Sequence, residues 1–392
     1  MLICPEDKCT GCCSCLNTCP AHCIVMEENE YGEIHPIIQN ERCMKCGLCQ
    51  QRCPANRQTE FYQPQQCFAA WSSDEQERKT SASGGLASVF SNEVISRGGS
   101  LFGASFENGA ALAHREVKTL SELPKLKGSK YVQSFIGDAY KQVKKALEER
   151  EVLFIGTPCQ VDGLKCFLGG SSEKLYTVDI ICHGTPPNRY LLEHISSRLS
   201  KKKSLITDMK FRGENGFTLK AFSEDTVLYT VNAACDPYFL SFLKSVSYRE
   251  SCYHCKYAQS KRVSDITIGD FWGLGAKQPV TYDTEHVSVA LVNTPKGSML
   301  LDRCREKLFL EERLLEEAVE GNAQLRRPSV INEDRKLFRE YYTSLGFEKA
   351  MNVTSIKSLV CYNRRSEMIQ KIAKRIPIPL KKTIKKLLHP NR

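Results

Sequence analysis

The sequence predicts a mixed α/β or α+β fold: a small cysteine-rich domain, an α/β body containing an antiparallel meander, and a basic amphipathic helical tail. Three observations carry that prediction. A four-cysteine run ending in proline occurs twice at the front, as Cys9, Cys12, Cys15, Cys19-Pro20 and as Cys43, Cys46, Cys49, Cys53-Pro54, 34 residues apart at every position. Behind it, short apolar runs alternate with amphipathic helical segments. Residues 205–231 then change to strand-like alternation interrupted by polar turns.

The front domain spans residues 1–58, with Ile24-Val25-Met26 and Ile34–Ile38 as short strands. C-x2-C-x2-C-x3-C-P, written twice, is the ligand pattern of a two-cluster ferredoxin, in which the fourth cysteine of each run serves the other cluster. Cys9, Cys12, Cys15 and Cys53 are therefore expected to hold one 4Fe-4S cluster, and Cys43, Cys46, Cys49 and Cys19 a second. Structural zinc prefers C-x2-C pairs separated by a longer gap.

Residues 59–78 read as a linker entering a strand at Cys67–Trp71, and the body divides into 66–150 and 151–345. Leu86–Ser96 is periodic enough for a helix, stopped by Arg97-Gly98-Gly99. Asp138–Arg150 sets Tyr140, Val143 and Leu147 on one helical face. Val152–Ile155 is a short continuous apolar run, as expected for a strand buried on both faces, and Leu175–Cys182, interrupted at Thr177 and Asp179, is read as a second. A helix starts at Pro187, where proline's missing N–H costs nothing. Ile206–Phe211, Phe217–Phe222 and Thr226–Val231 form the meander, and Asp265–Ile268 is a further strand ending at Gly269-Asp270.

Four more cysteines sit where strands end or turns begin: Cys159, Cys182, and the C-x2-C pair Cys252 and Cys255. Loops at the carboxyl ends of parallel strands converge, so these thiols can meet and supply the ligands of a third 4Fe-4S cluster. The alternative keeps Cys159 and Cys182 as small buried hydrophobes and Cys252/Cys255 as half of a zinc site. Lys79-Thr80-Ser81-Ala82-Ser83-Gly84-Gly85 runs into a helix and can offer backbone N–H donors to an anion, and the loop Lys127–Ser134 is a second candidate that combines a cation, hydroxyls and an aromatic ring. Ordinary capping and turn chemistry is the competing reading of both. Neither is a Walker A loop, and no GxGxxG follows a strand to support a nicotinamide cofactor.

Taken in order, Thr80–Gly85, Gly128–Ser134, Gly156-Thr157-Pro158-Cys159-Gln160, Asp179–Gly184 and the block Ser251–Gly273 resemble the beta subunit of the coenzyme F420 (deazaflavin) hydrogenase/dehydrogenase family, in the form with an N-terminal ferredoxin. The resemblance covers residues 1–345. It implies an FAD beside a 4Fe-4S cluster, and it places Cys159, Cys182, Cys252 and Cys255 on motif positions. Thr80, Ser81, Ser83, Gly84, Gly85, Lys130, Tyr131, Gln133 and Thr157 become the flavin contacts it suggests, with His183, Asp265 and Asp270 lining the same pocket. It assigns no catalytic residue, and use of deazaflavin is not carried over.

The net charge of +10 is concentrated in residues 361–392, where ten Lys/Arg face Glu367 alone. Met368, Ile369, Ile372 and Ile376 share one helical face of this tail (residues 346–392), and Leu380, Ile384, Leu387 and Leu388 another. That pattern suits an anionic membrane surface. Nucleic acid is not expected, since no aromatic residue interleaves the charges after Tyr362. No apolar run approaches the ~20 residues of a membrane span. Abundant free cysteines point to a reducing cytoplasm, with the inner membrane face as the place the tail would dock. The function expected is an iron–sulfur flavoprotein oxidoreductase that takes electrons from ferredoxin or another carrier and acts on a small organic substrate. The alternatives are an electron-transfer subunit without its own substrate, a deazaflavin reductase or dehydrogenase, and a zinc-stabilised interaction module.

Overall fold

A computed structural model describes residues 2–107, 109–170, 172–213 and 216–375. At the front, β1 (Ile24–Glu28) and β2 (Ile34–Ile38) pair antiparallel, and the backbone around them repeats itself. The 3-10 turn Glu6–Lys8 recurs as Asn40–Arg42, and the short helix Ser14–Thr18 as Leu48–Gln51. Left-handed positions recur too: Gly11 (φ 65°) is matched by Lys45 (55°), and Cys13 (59°) by Gly47 (72°). The sequence duplication is thus a duplication of backbone shape.

The body is built on β3 (Gln66–Ser72), β4 (Ser100–Phe106), β5 (Leu112–Val117), β6 (Val152–Gly156) and β7 (Leu175–Ile180), then a meander of β8 (Asp208–Gly213), β9 (Gly216–Ser223) and β10 (Thr226–Asn232), and finally β11 (Ile266–Asp270), β12 (Ser288–Val292) and β13 (Leu308–Glu312). Eight strands form one sheet in the order β13-β3-β12-β11-β7-β6-β4-β5, and the meander is separate. The central strands β4, β6, β7 and β11 run parallel; β5, β12, β3 and β13 flank them in antiparallel pairings. Strand alternation sorts the core: Leu153 and Ile155 face the helices Leu86–Ser96 and Pro295–Arg303, while Val152 and Phe154 face Ala139–Glu149 and Pro158–Leu168. The residues from Val152 to Phe154 have no exposed surface, as a parallel strand covered on both faces requires.

The meander packs on the helices Asn188–Leu199, Pro237–Leu243 and Asp334–Met351, around Phe211, Phe239, Tyr238 and Phe338. The helix Ser355–Arg375 begins on this core through Ile356 and Val360 and is tied down where Asn363 donates to Ala234 O (2.7 Å) and Arg364 to Cys235 O (3.0 Å). Past those anchors Met368, Ile369 and Ile372 stand exposed. Ile376, Leu380, Ile384, Leu387 and Leu388, the remainder of the expected amphipathic tail, lie outside the described residues. Strands β4, β5, β12 and β13 are not among the sequence expectations, and β7 stops at Ile180, which leaves Cys182 in the loop beyond the sheet edge.

Candidate functional site

The parallel strands deliver their following residues to one edge of the sheet. Beyond β6 lies Thr157, which caps the helix Pro158–Leu168 in a reciprocal capping box with Gln160 and leaves Cys159 in its first turn. Beyond β7 come Cys182 and His183, and β11 ends at Asp270. Cys252 closes the 3-10 turn Glu250–Cys252, and Cys255 follows in the next turn. These four thiols converge: Cys182 feels the charges of Cys252, Cys159 and Cys255, and Cys255 those of Cys159 and Cys252. Burial pushes Cys252 up to about 11 and Cys255 up to about 12. Such thiols stay protonated unless a metal replaces the proton.

The front repeat supplies two further sets. Cys12 and Cys15 both feel Cys53, and Cys15 also feels Cys9, so the last cysteine of the second run has crossed to the first three of the first run. Cys19 has crossed the other way. It lines one pocket with Cys43, Cys46 and Cys49, whose empty volume of about 380 Å³ includes its open mouth. Cys46 is exposed there, whereas Cys15 and Cys53 are buried. Two cysteines outside the runs touch these sets. Cys4 lies within hydrogen-bonding reach of Cys53 and Cys9, which pushes its thiol up and holds Cys9 below the ordinary thiol range. The Cys23 sulfur is 3.4 Å from that of Cys19. Neither position follows the repeat, so spacing offers no signal for them. No group of three or more His, Cys, Asp or Glu among the described residues is placed to hold a single metal ion. Thiolates on separate corners of a cubane stand farther apart than ligands at Zn–S distances of about 2.3 Å.

The front repeat is seated directly on the third thiol set. The helix Pro158–Leu168, with Cys159 in its first turn, passes Cys12 at Gly163, where a Cβ would come within 3.0 Å of the Cys12 Cβ and 2.8 Å of the Tyr140 hydroxyl. Tyr140 and Tyr257 each feel both Cys12 and Cys159. Asn17 donates to Gly137 O (2.8 Å), Lys256 to Pro54 O (2.6 Å) and Gln133 to Thr10 O (3.1 Å), which locks the two parts together.

The residues suggested as flavin contacts separate into three places. Most meet at Arg212, which the sequence reading does not include. Its guanidinium donates to Ala82 O (2.6 Å), to the Tyr131 hydroxyl (2.8 Å) and to Asp270 (3.1 Å), and it lies 4.5 Å from the centroid of the Phe217 ring. The loop Thr80–Gly85, Tyr131 and Asp270 are gathered by this one side chain. His183 is close by, its imidazole held below the ordinary range by burial and by Arg212, against the pull of Asp270. Alternation along β8 would put Arg212 beside Lys210 on the solvent face, but the register shifts between those residues. A bulge of this kind re-aims a side chain.

Within the loop, the Thr80, Ser81 and Ser83 hydroxyls donate to Gln76 O, Glu77 and Val287 O, and the Gly84 N–H to the Ser288 hydroxyl. Gly85 caps the helix Leu86–Ser96, whose first-turn N–H groups have no intrahelical acceptor. Lys130 bonds the carbonyls of Leu126, Lys127 and Gly128, and burial lowers its ammonium to about 8. Gln133 and Thr157 lie instead beside the thiol sets: Gln133 bridges Thr10 and Arg249, and the Thr157 hydroxyl is 3.1 Å from the Cys159 sulfur.

Asp265 corrects the expectation of one shared pocket. It precedes β11 whereas Asp270 ends it, and its carboxylate accepts from Thr177 N (2.8 Å), Thr177 Oγ1 (2.7 Å) and Thr294 Oγ1 (2.7 Å). It pins β7, β11 and the start of the helix Pro295–Arg303. Asp265→Ala leaves buried donors unpaired and is expected to cost about 2–4 kcal/mol of stability while flavin and iron per folded chain stay unchanged. Urea unfolding combined with cofactor analysis checks this; lost flavin at unchanged stability would return Asp265 to the site.

Residues 149–318 match the family model for the C terminus of the coenzyme F420 hydrogenase/dehydrogenase beta subunit, and residues 8–57 match the 4Fe-4S dicluster domain. Among solved structures, the chain is similar to one in the F420-reducing NiFe hydrogenase complex from Methanosarcina barkeri, with 15% identity and a TM-score of 0.46, over 68% of this chain and 93% of that one. No curated protein matches the chain.

Proposed function

This chain belongs to the coenzyme F420 hydrogenase/dehydrogenase beta-subunit family and carries a 4Fe-4S dicluster domain at its front; from that premise we propose that it is an iron–sulfur flavoprotein oxidoreductase. Cys9, Cys12, Cys15 and Cys53 hold an inner cluster, and Cys19, Cys43, Cys46 and Cys49 an outer one. Cys159, Cys182, Cys252 and Cys255 hold a third, and FAD occupies the strand edge around Arg212. The observation that carries the reading is the alignment of thiol sets. The outer set opens to solvent at Cys46, the inner set abuts the helix bearing Cys159, and the third set shares the strand edge with Arg212, His183 and Asp270.

The donor sets fit clusters: each brings four thiols together, the inner and third sets largely buried and the outer one open at Cys46. For the flavin, the fit rests on the helix start at Gly85 and on the guanidinium of Arg212. A helix N-terminus favours an anion such as a phosphate, and Arg212 holds the three surrounding segments in place. A bound flavin would supply the conversion between single-electron and two-electron transfer. The chain's own residues keep His183 neutral beside it through burial, pair Asp270 with Arg212, and set the Thr157 hydroxyl against the Cys159 sulfur.

A small redox carrier such as ferredoxin meets the chain at the outer set, where Met44 and Cys46 are exposed. The same surface would suit an electron-transfer subunit feeding a partner enzyme, and an organic substrate reduced or oxidised at the flavin separates the two. Iron, acid-labile sulfide and flavin per chain test the core of the proposal.

The exposed Met368, Ile369 and Ile372, continued by the basic residues after them, support docking on an anionic membrane surface. No helix among the described residues is long and apolar enough to cross a membrane. A chain ending at Glu367 keeps the Asn363 and Arg364 anchors and loses eight of the ten cations of residues 361–392. At about 1 kcal/mol per cation near the surface, it is expected to pellet with phosphatidylserine vesicles far less than the full chain. Equal pelleting would remove the membrane from the account.

A further inference from the structure

Arg249 is 1% exposed, and its guanidinium meets no carboxylate among the described residues. Its N–H groups donate to Gln133 Oε1 (2.6 Å), Cys9 O (2.9 Å), Ile34 O (3.2 Å) and the Ser251 hydroxyl (3.4 Å), all neutral acceptors. The two nearby acids are engaged elsewhere. Glu250 is paired with Arg335 (2.8 Å) and Arg339 (2.6 Å), and Glu33 with Arg339 (3.4 Å) and His35 (3.9 Å). Glu33 feels the charge of Arg249 as well, but forms no ion pair with it, and two acids shared among Arg249, Arg335 and Arg339 leave the three cations one negative charge short. A buried charge is retained only where a counter-charge repays its desolvation.

The surroundings identify the missing counter-charge. On one side the guanidinium lies against the loop that starts at Cys9, where a Cβ on Gly11 would come 2.9 Å from Arg249 Nη1. On the other, its backbone opens the turn that ends at Cys252, whose N–H donates to Arg249 O at 3.1 Å. Cys9, Cys13, Cys159 and Cys252 all feel its charge. An iron–sulfur cubane on four thiolates carries net negative charge and gains one more with each electron, while an arginine stays protonated throughout. Net charge is one of the quantities that set a cluster's potential.

We infer that Arg249 is the common counter-ion of the cluster held by Cys9, Cys12, Cys15 and Cys53 and of the cluster held by Cys159, Cys182, Cys252 and Cys255, and that its fixed charge raises the reduction potential of both. The inference rests on the proposal of a third cluster. It makes Arg249 a positioning residue: its N–H fork joins the two thiol sets, and its charge favours an electron resting on either.

The test uses the full chain purified without oxygen, with iron analysis followed by reductive titration with dithionite monitored by EPR. Arg249→Gln keeps polar contacts but removes the charge; Arg249→Lys keeps the charge but not the fork. The Gln variant is expected to shift the inner and third clusters at least tenfold toward the oxidised state, 59 mV for one electron. The outer cluster should not move, and Lys should restore most of the shift. A Gln variant that fails to retain these two clusters while the Lys variant retains them also supports the inference. Potentials unchanged in both variants, equal shifts in both, or loss of iron from both would overturn it. A wild-type chain with only about eight irons would refute the third cluster instead, and a shift confined to the inner cluster in the Gln variant would then separate the two failures.

Discussion

Replacing Cys159 with alanine is expected to lower the iron content from about twelve to about eight per chain, with acid-labile sulfide falling equally. The remaining clusters should keep their EPR signals, because the Cys159 sulfur contacts the Thr157 hydroxyl and bonds none of the front cysteines. Electron passage to the flavin should then fall by orders of magnitude, measured as dithionite- or ferredoxin-driven bleaching of the flavin absorbance. Alanine at Cys166, a buried cysteine on the same helix that the account leaves to packing, should cost no iron. Iron retained in full by Cys159→Ala would return Cys159, Cys182, Cys252 and Cys255 to the role of small hydrophobes.

The second large effect is expected at Arg212. Arg212→Leu removes the donors that hold Ala82 O, the Tyr131 hydroxyl and Asp270, and so loosens three walls of the candidate flavin site together. Charge-assisted hydrogen bonds contribute about 1.5–3 kcal/mol each. If binding has to re-order the walls that even one such bond held, flavin affinity falls by up to roughly ten- to hundredfold. Iron should be unaffected, since no thiol lies among the partners of Arg212. Arg212→Lys restores the charge without the fork and should fall between the two. Flavin retained after gel filtration of the Leu variant would place the cofactor elsewhere.

How much of this was legible in the sequence varied with the kind of signal. The front repeat was readable to the residue because cluster ligation demands fixed spacing, and the backbone duplicates with it down to the paired left-handed positions Cys13 and Gly47. The helix Leu86–Ser96 is found with the expected bounds, since its periodicity and its stop at Arg97-Gly98-Gly99 are local. Strand order was not readable: β3 pairs with β12, more than two hundred residues away, and no local pattern encodes that partner. Strand β4 was hidden by Gly103 and by the absence of β-branched residues, and is held in place by β5 and β6.

The candidate site divides in the same way. The placement of Cys159 and Cys182 beyond the ends of β6 and β7 was legible because each follows or closes an apolar run. Arg212 was not, because a register shift in β8 turns it away from the face that alternation assigns. Arg249 and Asp265 carry opposite lessons. Each is a charged residue inside or beside a motif block, yet burial and partners assign Asp265 to holding the sheet together and leave Arg249 hydrogen-bonded to neutral acceptors alone. The motif alone cannot separate those roles; the acceptors around each side chain do.

The most direct test of the central claim is the iron, acid-labile sulfide and flavin content of the full chain purified without oxygen. The account predicts about twelve irons, about twelve sulfides and one flavin per chain. Zinc in place of iron, or iron with no flavin, would contradict it.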